Sequence, residues 1–122
     1  METIDTKRVY DHKNADGTFR ILVDRLWPRG VKKTDFDFDE WNKDIAPSVA
    51  LRKWFDHQPE LFEEFSRLYN EELSVKEEML QKIRKQAKST PVSLMYGAKD
   101  PKINHAILLL NRLKSSNIDL NP

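Results

Sequence analysis

The sequence predicts one α/β domain over residues 1–122, built on a mixed or mostly parallel sheet of three to four strands flanked by amphipathic helices. Three observations predict it. Residues 19–27 carry a continuous apolar centre at Ile21, Leu22 and Val23, and residues 91–96 (Pro-Val-Ser-Leu-Met-Tyr) read the same way; such runs suit strands buried on both faces, as in α/β sheets. Between them Leu61, Phe62, Phe65, Leu68, Tyr69 and Leu73 fall on one stripe at helical period. A chain of 122 residues, 39% hydrophobic and 34% charged, is long and apolar enough to fold around one core without disulfides or metal.

In chain order, a short β-prone run covers residues 6–10, and the link from 12 to 18 contains Asp16-Gly17. That link is shorter than a usual helical crossover, so read locally it favours antiparallel pairing of the first two strands. Phe36 and Phe38 alternate with Asp35, Asp37 and Asp39 before Trp41, suggesting a third short extended segment. Ser48 caps a short helix with Leu51, Trp54 and Phe55 on one side, and Pro59 opens the striped helix. Ser74 and Glu77 have capping-box spacing, so a further helix with Met79, Leu80, Ile83 and Ala87 inward starts there, or the previous one continues with a kink. Asp100-Pro101 reads as N-cap and first residue of the last helix, with Ile103, Ala106, Ile107, Leu110 and Leu113 on its apolar face. Leu108 and Leu109 widen that face, which implies burial on two sides or a homo-oligomer contact through the C-terminal helix.

The absence of cysteine excludes disulfides, thiolate catalysis and cysteine-based metal sites. The N-terminus lacks the pattern of a secretory signal and no apolar run is long enough to span a bilayer, so a cytoplasmic protein is expected, with no membrane partner. With a net charge of +1 there is no global field of the kind that drives nucleic-acid binding. The alternation Asp35, Asp37, Asp39, Glu40 reads as a solvated edge, His12 and His57 have no ligand spacing, and neither a metal nor a cofactor is expected.

Sites in α/β proteins lie just beyond the carboxyl ends of strands, and two polar segments occupy such places. Asp24, Arg25 and Arg29 follow the first buried strand and offer a carboxylate with two guanidinium forks suited to phosphate or carboxylate. Lys99, Asn104 and His105 follow the second, at a helix N-terminus that favours anions. Asp24 and His105 are the candidate acid–base pair, although helical phase puts His105 away from the apolar face; Arg25, Arg29, Lys99 and Asn104 are the candidate ligand-binding residues. The plainer alternatives are sheet-closing ion pairs for Asp24 and Arg25 and a simple cap for Asp100.

The blocks Lys7-Arg-Val-Tyr-Asp11, Leu22-Val-Asp-Arg-Leu-Trp-Pro-Arg-Gly30, Asp39-Glu-Trp-Asn-Lys-Asp-Ile-Ala-Pro-Ser48, Leu51-Arg-Lys-Trp-Phe55 and Tyr96-Gly-Ala-Lys-Asp100 with Asn104-His105 span nearly the whole chain. In them the chain resembles the YeaO-like branch of a bacterial family of domains of unknown function. The resemblance implies an α/β fold and carries no established activity. More distant branches of that family have cysteines where this chain has Tyr96 and Asn104, so a thiol-dependent role in them does not extend here. Those branches also place a helix between the first two strands, which implies parallel pairing. Three function classes are compatible with the residues: a small enzyme or binding protein for a small anionic, phosphorylated or nucleotide-like ligand; a nucleic-acid module using Arg29, Lys32 and Lys33 with Trp27, which the low net charge disfavours; and a regulatory or interaction protein.

Overall fold

The apolar runs do become the middle of a sheet. In the computed structural model, which describes residues 3–119 and side chains as far as residue 115, β1 (Ile4–Arg8), β2 (Phe19–Leu22), β3 (Glu40–Trp41) and β4 (Val92–Tyr96) lie in the order β1-β4-β2-β3. Every neighbouring pair is parallel, with Ile4 opposite Val92, Ile21 opposite Leu94 and Ile21 opposite Glu40. The first two strands are therefore parallel and not neighbours, because β4 inserts between them. The local antiparallel reading fails for a reason of length. β2 is only four residues long, about 13 Å at strand rise, and the ten residues joining β1 to β2 reach roughly 33 Å when extended, enough to return without a helix.

Alternation along β2 and β4 sends side chains to two cores. Ile21, Val23, Val92, Leu94 and Tyr96 face α1 (Val49–Phe55), α2 (Phe62–Leu73), α3 (Glu77–Ser89) and α4 (His105–Asp119), where Phe65, Tyr69, Leu80, Leu109 and Leu113 complete the main core. Leu22 and Met95 point to the other face and meet Val9, Val31 and Phe36. Among the described residues no α-helix covers that second face. The loop between β2 and β3 does, through edge-on contacts of the Trp27 ring with Phe36, Phe38 and Trp41 at 5.4–5.9 Å between centroids. Arg20 is also buried there, donating from Nε to the Asp37 carbonyl (2.8 Å), from Nη1 to that of Asn14 (2.6 Å) and from Nη2 to that of His12.

Several local expectations shift. The third extended segment shrinks to Glu40–Trp41, preceded by a 3-10 turn at Lys33–Asp35. Its aspartates are more than a solvated edge, since Asp37 accepts the Ala15 N–H and Asp39 that of Arg20, both at 2.8 Å. Ser48 caps α1 by accepting the Leu51 N–H, and Leu51 and Phe55 are buried, whereas Trp54 is 44% exposed. Pro59 opens a 3-10 turn (Pro59–Leu61) and α2 begins only at Phe62. α2 and α3 are separate helices, but Ser74 Oγ donates back to the Glu71 carbonyl instead of closing a capping box with Glu77.

The largest correction is at α4. Asp100 receives the N–H groups of Lys102 and Ile103 in a turn, and the cap proper is the buried Asn104, whose Oδ1 accepts the Ile107 N–H at 2.9 Å. Ile103, which anchored the expected face, lies outside the helix, and the buried face is rotated from the one its inclusion implied. Ala106 and Leu113 are buried as expected and Leu109 joins them, whereas Ile107 and Leu110 are half-buried, and Leu108 is buried in the chain's own core. The same rotation turns His105 toward the sheet.

Candidate functional site

Beyond their last paired residues, β2 and β4 continue side by side, with the Val23 N–H donating to the Met95 carbonyl at 3.0 Å. Asp24 thus arrives next to Gly97. Its Oδ2 accepts the Gly97 N–H at 2.8 Å. A Cβ on residue 97 would sit 3.0 Å from that same oxygen, so this glycine is set by close approach rather than by a left-handed backbone. From the start of α4, His105 Nε2 lies 2.9 Å from the Val23 carbonyl and 3.3 Å from Asp24 Oδ1. Both neighbours are acceptors, so Nε2 carries the proton whether the ring is neutral or charged. Oδ1 itself is buried and makes no hydrogen bond within ordinary geometry. Burial pushes the Asp24 carboxyl above the usual carboxylate range; the His105 charge, the Gly97 N–H, Arg52 and His57 oppose that rise. The ring of Tyr69 meets His105 edge-on, and its hydroxyl donates to the Ile45 carbonyl at 2.7 Å. Burial also raises the Tyr69 phenol well above its ordinary value, so it stays a neutral donor.

In front of this cluster opens a cavity of about 490 Å³. It brings together Asp24, Arg25, Arg29, Asn104 and His105, five of the six residues singled out from the sequence. Lys99 does not join them. It lines a separate depression with Arg8, His12 and Tyr96, because the turn around Asp100 carries it to the other side of β4. Within the cavity the five are not equivalent. Arg25 is pinned from behind, Nε to the Pro47 carbonyl at 3.0 Å and Nη2 to that of Ala46 at 3.2 Å, so it fastens the 46–47 segment as well as charging the wall. Arg29 is exposed, and its backbone is fixed by Tyr10, whose hydroxyl donates to the Arg29 carbonyl at 2.7 Å. Asn104 spends its amide on the α4 cap and on the Asp100 carbonyl. Trp27, named with Arg29, Lys32 and Lys33 in the nucleic-acid reading, lines the cavity in part, packs against the second core and donates from Nε1 to the Val31 carbonyl at 2.6 Å.

The opposite wall escaped the sequence reading. Arg52 and Lys53 of α1 and the following Asp56 and His57 face the same cavity. Asp56 and His57 both have left-handed backbones, φ 46° and 55°. Two consecutive non-glycine residues in that region are uncommon, and such strain gathers at binding sites and tight turns. The only sequence signal for this wall was the Leu51-Arg-Lys-Trp-Phe55 block, which carries charge on a short helix but no hint that it folds over residues 24–29.

The family comparison agrees with the extent of the fold. Residues 3–119 match the family model described as "Inactive DUF488-N3 subclade". The chain is 45% identical over 112 residues to "Uncharacterized protein YeaO" of Escherichia coli K12, covering 92% of this chain and 97% of that one. It is 52% identical over 66 residues to "Uncharacterized protein Rv3073c" of Mycobacterium tuberculosis H37Rv, 54% of this chain and 56% of the mycobacterial one. No solved structure matches significantly. On the strength of a match running through all four strands and all four helices, the chain belongs to the inactive DUF488-N3 subclade of the DUF488 family.

Proposed function

We propose that the protein binds a small anionic ligand in the cavity at the carboxyl ends of β2 and β4, as a binding protein rather than a catalyst. One observation carries the reading: Arg25, Arg29, Arg52 and Lys53, from two separate segments, surround one cavity in which, among the described residues, Asp24 and Asp56 are the only acids lining the wall. Asp24 is engaged by Gly97 and His105, so the accessible charge of the site is cationic. The α4 N-terminus, with Asn104 and His105 on the cavity wall, adds to that potential. Binding without turnover is supported by His105, whose Nε2 is engaged by the Val23 carbonyl, with Asp24 Oδ1 3.3 Å away, and not directed at a ligand. The family's description as inactive points the same way. A compact ligand is favoured over nucleic acid because the Trp27 ring makes edge-on contacts with Phe36, Phe38 and Trp41 in the second core, which ties up an aromatic that stacking on bases needs free.

Titration calorimetry at low salt with inorganic phosphate, sulfate and simple phosphomonoesters tests this. Arg29→Gln and Arg52→Gln are expected each to weaken binding about tenfold, the loss of one charge-assisted hydrogen bond at a partly exposed site. Lys99→Met, outside the cavity, leaves binding unchanged. Absence of binding by every probe, or binding by both arginine variants as tight as by the wild type, overturns the reading.

A further inference from the structure

We infer that the ligand is an organic dianion with a flat apolar body, a phosphomonoester carried on a ring, and not an inorganic anion. The inference rests on the anion-binding reading and extends it to the rest of the cavity. A volume of about 490 Å³ lies within the roughly 300–1,000 Å³ typical of sites for organic ligands and far exceeds what a bare oxyanion fills. Part of the remaining wall is apolar. Leu26, Pro47 and Phe55 line it, and Phe55 is backed by a stacked Phe65 ring at 4.1 Å, which makes that part of the wall rigid. Leu26 is 60% exposed although it sits between Arg25 and Trp27, both anchored by hydrogen bonds. Because Leu26 lines the cavity, an apolar group that enters beside the cationic rim removes its side chain from water, a gain that scales with the area covered. The charge required of the ligand follows from the rim. Arg29, Arg52 and Lys53 face Asp56 as the one acid not engaged elsewhere, an excess that a doubly charged headgroup balances better than a carboxylate does.

Calorimetry on the full chain with phenyl phosphate, glycerol phosphate and benzoate separates these elements. Phenyl phosphate is expected to bind at least about tenfold more tightly than either of the others, since glycerol phosphate lacks the ring and benzoate the second charge. Leu26→Ser, at an exposed position that leaves folding intact, is expected to weaken phenyl phosphate severalfold and to leave glycerol phosphate unchanged. Equal affinity for phenyl and glycerol phosphate, or no effect of Leu26→Ser on phenyl phosphate, refutes the apolar body while the anion site stands. Benzoate binding as tightly as phenyl phosphate refutes the dianion. If none of the three binds, the anion site itself falls, and this inference with it.

Discussion

Asp24 concentrates the competing physical demands on this fold. Its carboxyl closes the gap between two neighbouring strand ends, a service that needs only an acceptor for the Gly97 N–H, yet burial raises its proton affinity above that of the unfolded chain. An acid whose folded value lies above its unfolded one makes the native state bind more protons, so the native state loses relative stability as pH rises from about 4 through the raised value. Asp16 works in the opposite sense. Hydrogen bonds from Lys7 and Thr18 hold its carboxyl below the usual range, so its contribution is present above about pH 4 and is lost on acidification. In urea titrations between pH 4 and 7, Asp24→Asn is therefore expected to gain stability relative to the wild type as pH rises. A constant difference across that range shows that Asp24 ionises freely. The strand end that holds Asp24 was legible, because apolar residues stop abruptly at a polar pair. That His105 would reach it was not, because the expected face counted Ile103, which lies outside α4, and Asp100-Pro101 and Asn104 compete for the cap with similar local chemistry.

At the level of elements, the long amphipathic stripe of α2 and the two apolar strands were readable, since each buries a regular face and periodicity reports burial. The second core was not. It is built by a loop, residues 24–39, whose aromatic side chains lie outside any strand although Phe36 and Phe38 alternate like one, and by Arg20, a residue ordinarily found outside. Arg20 holds that loop and the 12–14 segment to the sheet by donating to three backbone carbonyls, with the Phe36 ring 5.6 Å from its guanidinium carbon. Replacing it by Met keeps the stem and removes every donor. Arg20→Met is expected to cost about 3 kcal/mol in equilibrium denaturation, from the unpaired carbonyls and the loosened loop. A loss below about 1 kcal/mol means that water replaces the guanidinium without consequence. Because β3 pairs only through Glu40 and Trp41, at the end of this loop, proteolysis of the variant should begin within residues 28–40.

For the molecule as a whole, stability comes from side-chain burial on both faces of a parallel sheet, with no cysteine in the sequence and no cluster of metal-ligating side chains among the described residues. The melting temperature is expected to be unchanged by chelator and by reductant in differential scanning calorimetry; a fall of several degrees with EDTA reveals a structural metal. The α/β class and the parallel bias were legible in the apolar strands, but the strand order was not, because periodicity says which face is buried and never which strand lies beside which. That order matters during synthesis. β4 is the strand that β1 and β2 share, and it is the last of the four along the chain. About seventy residues separate Leu22 from Val92, several seconds of translation at about 5–20 residues per second. Until then Ile21, Leu22 and Val23 have left the ribosome with no central partner, and only the two-residue β3 can pair with them. A nascent chain stalled before residue 92 thus presents a bare hydrophobic strand to chaperones, and one stalled well past residue 96 does not.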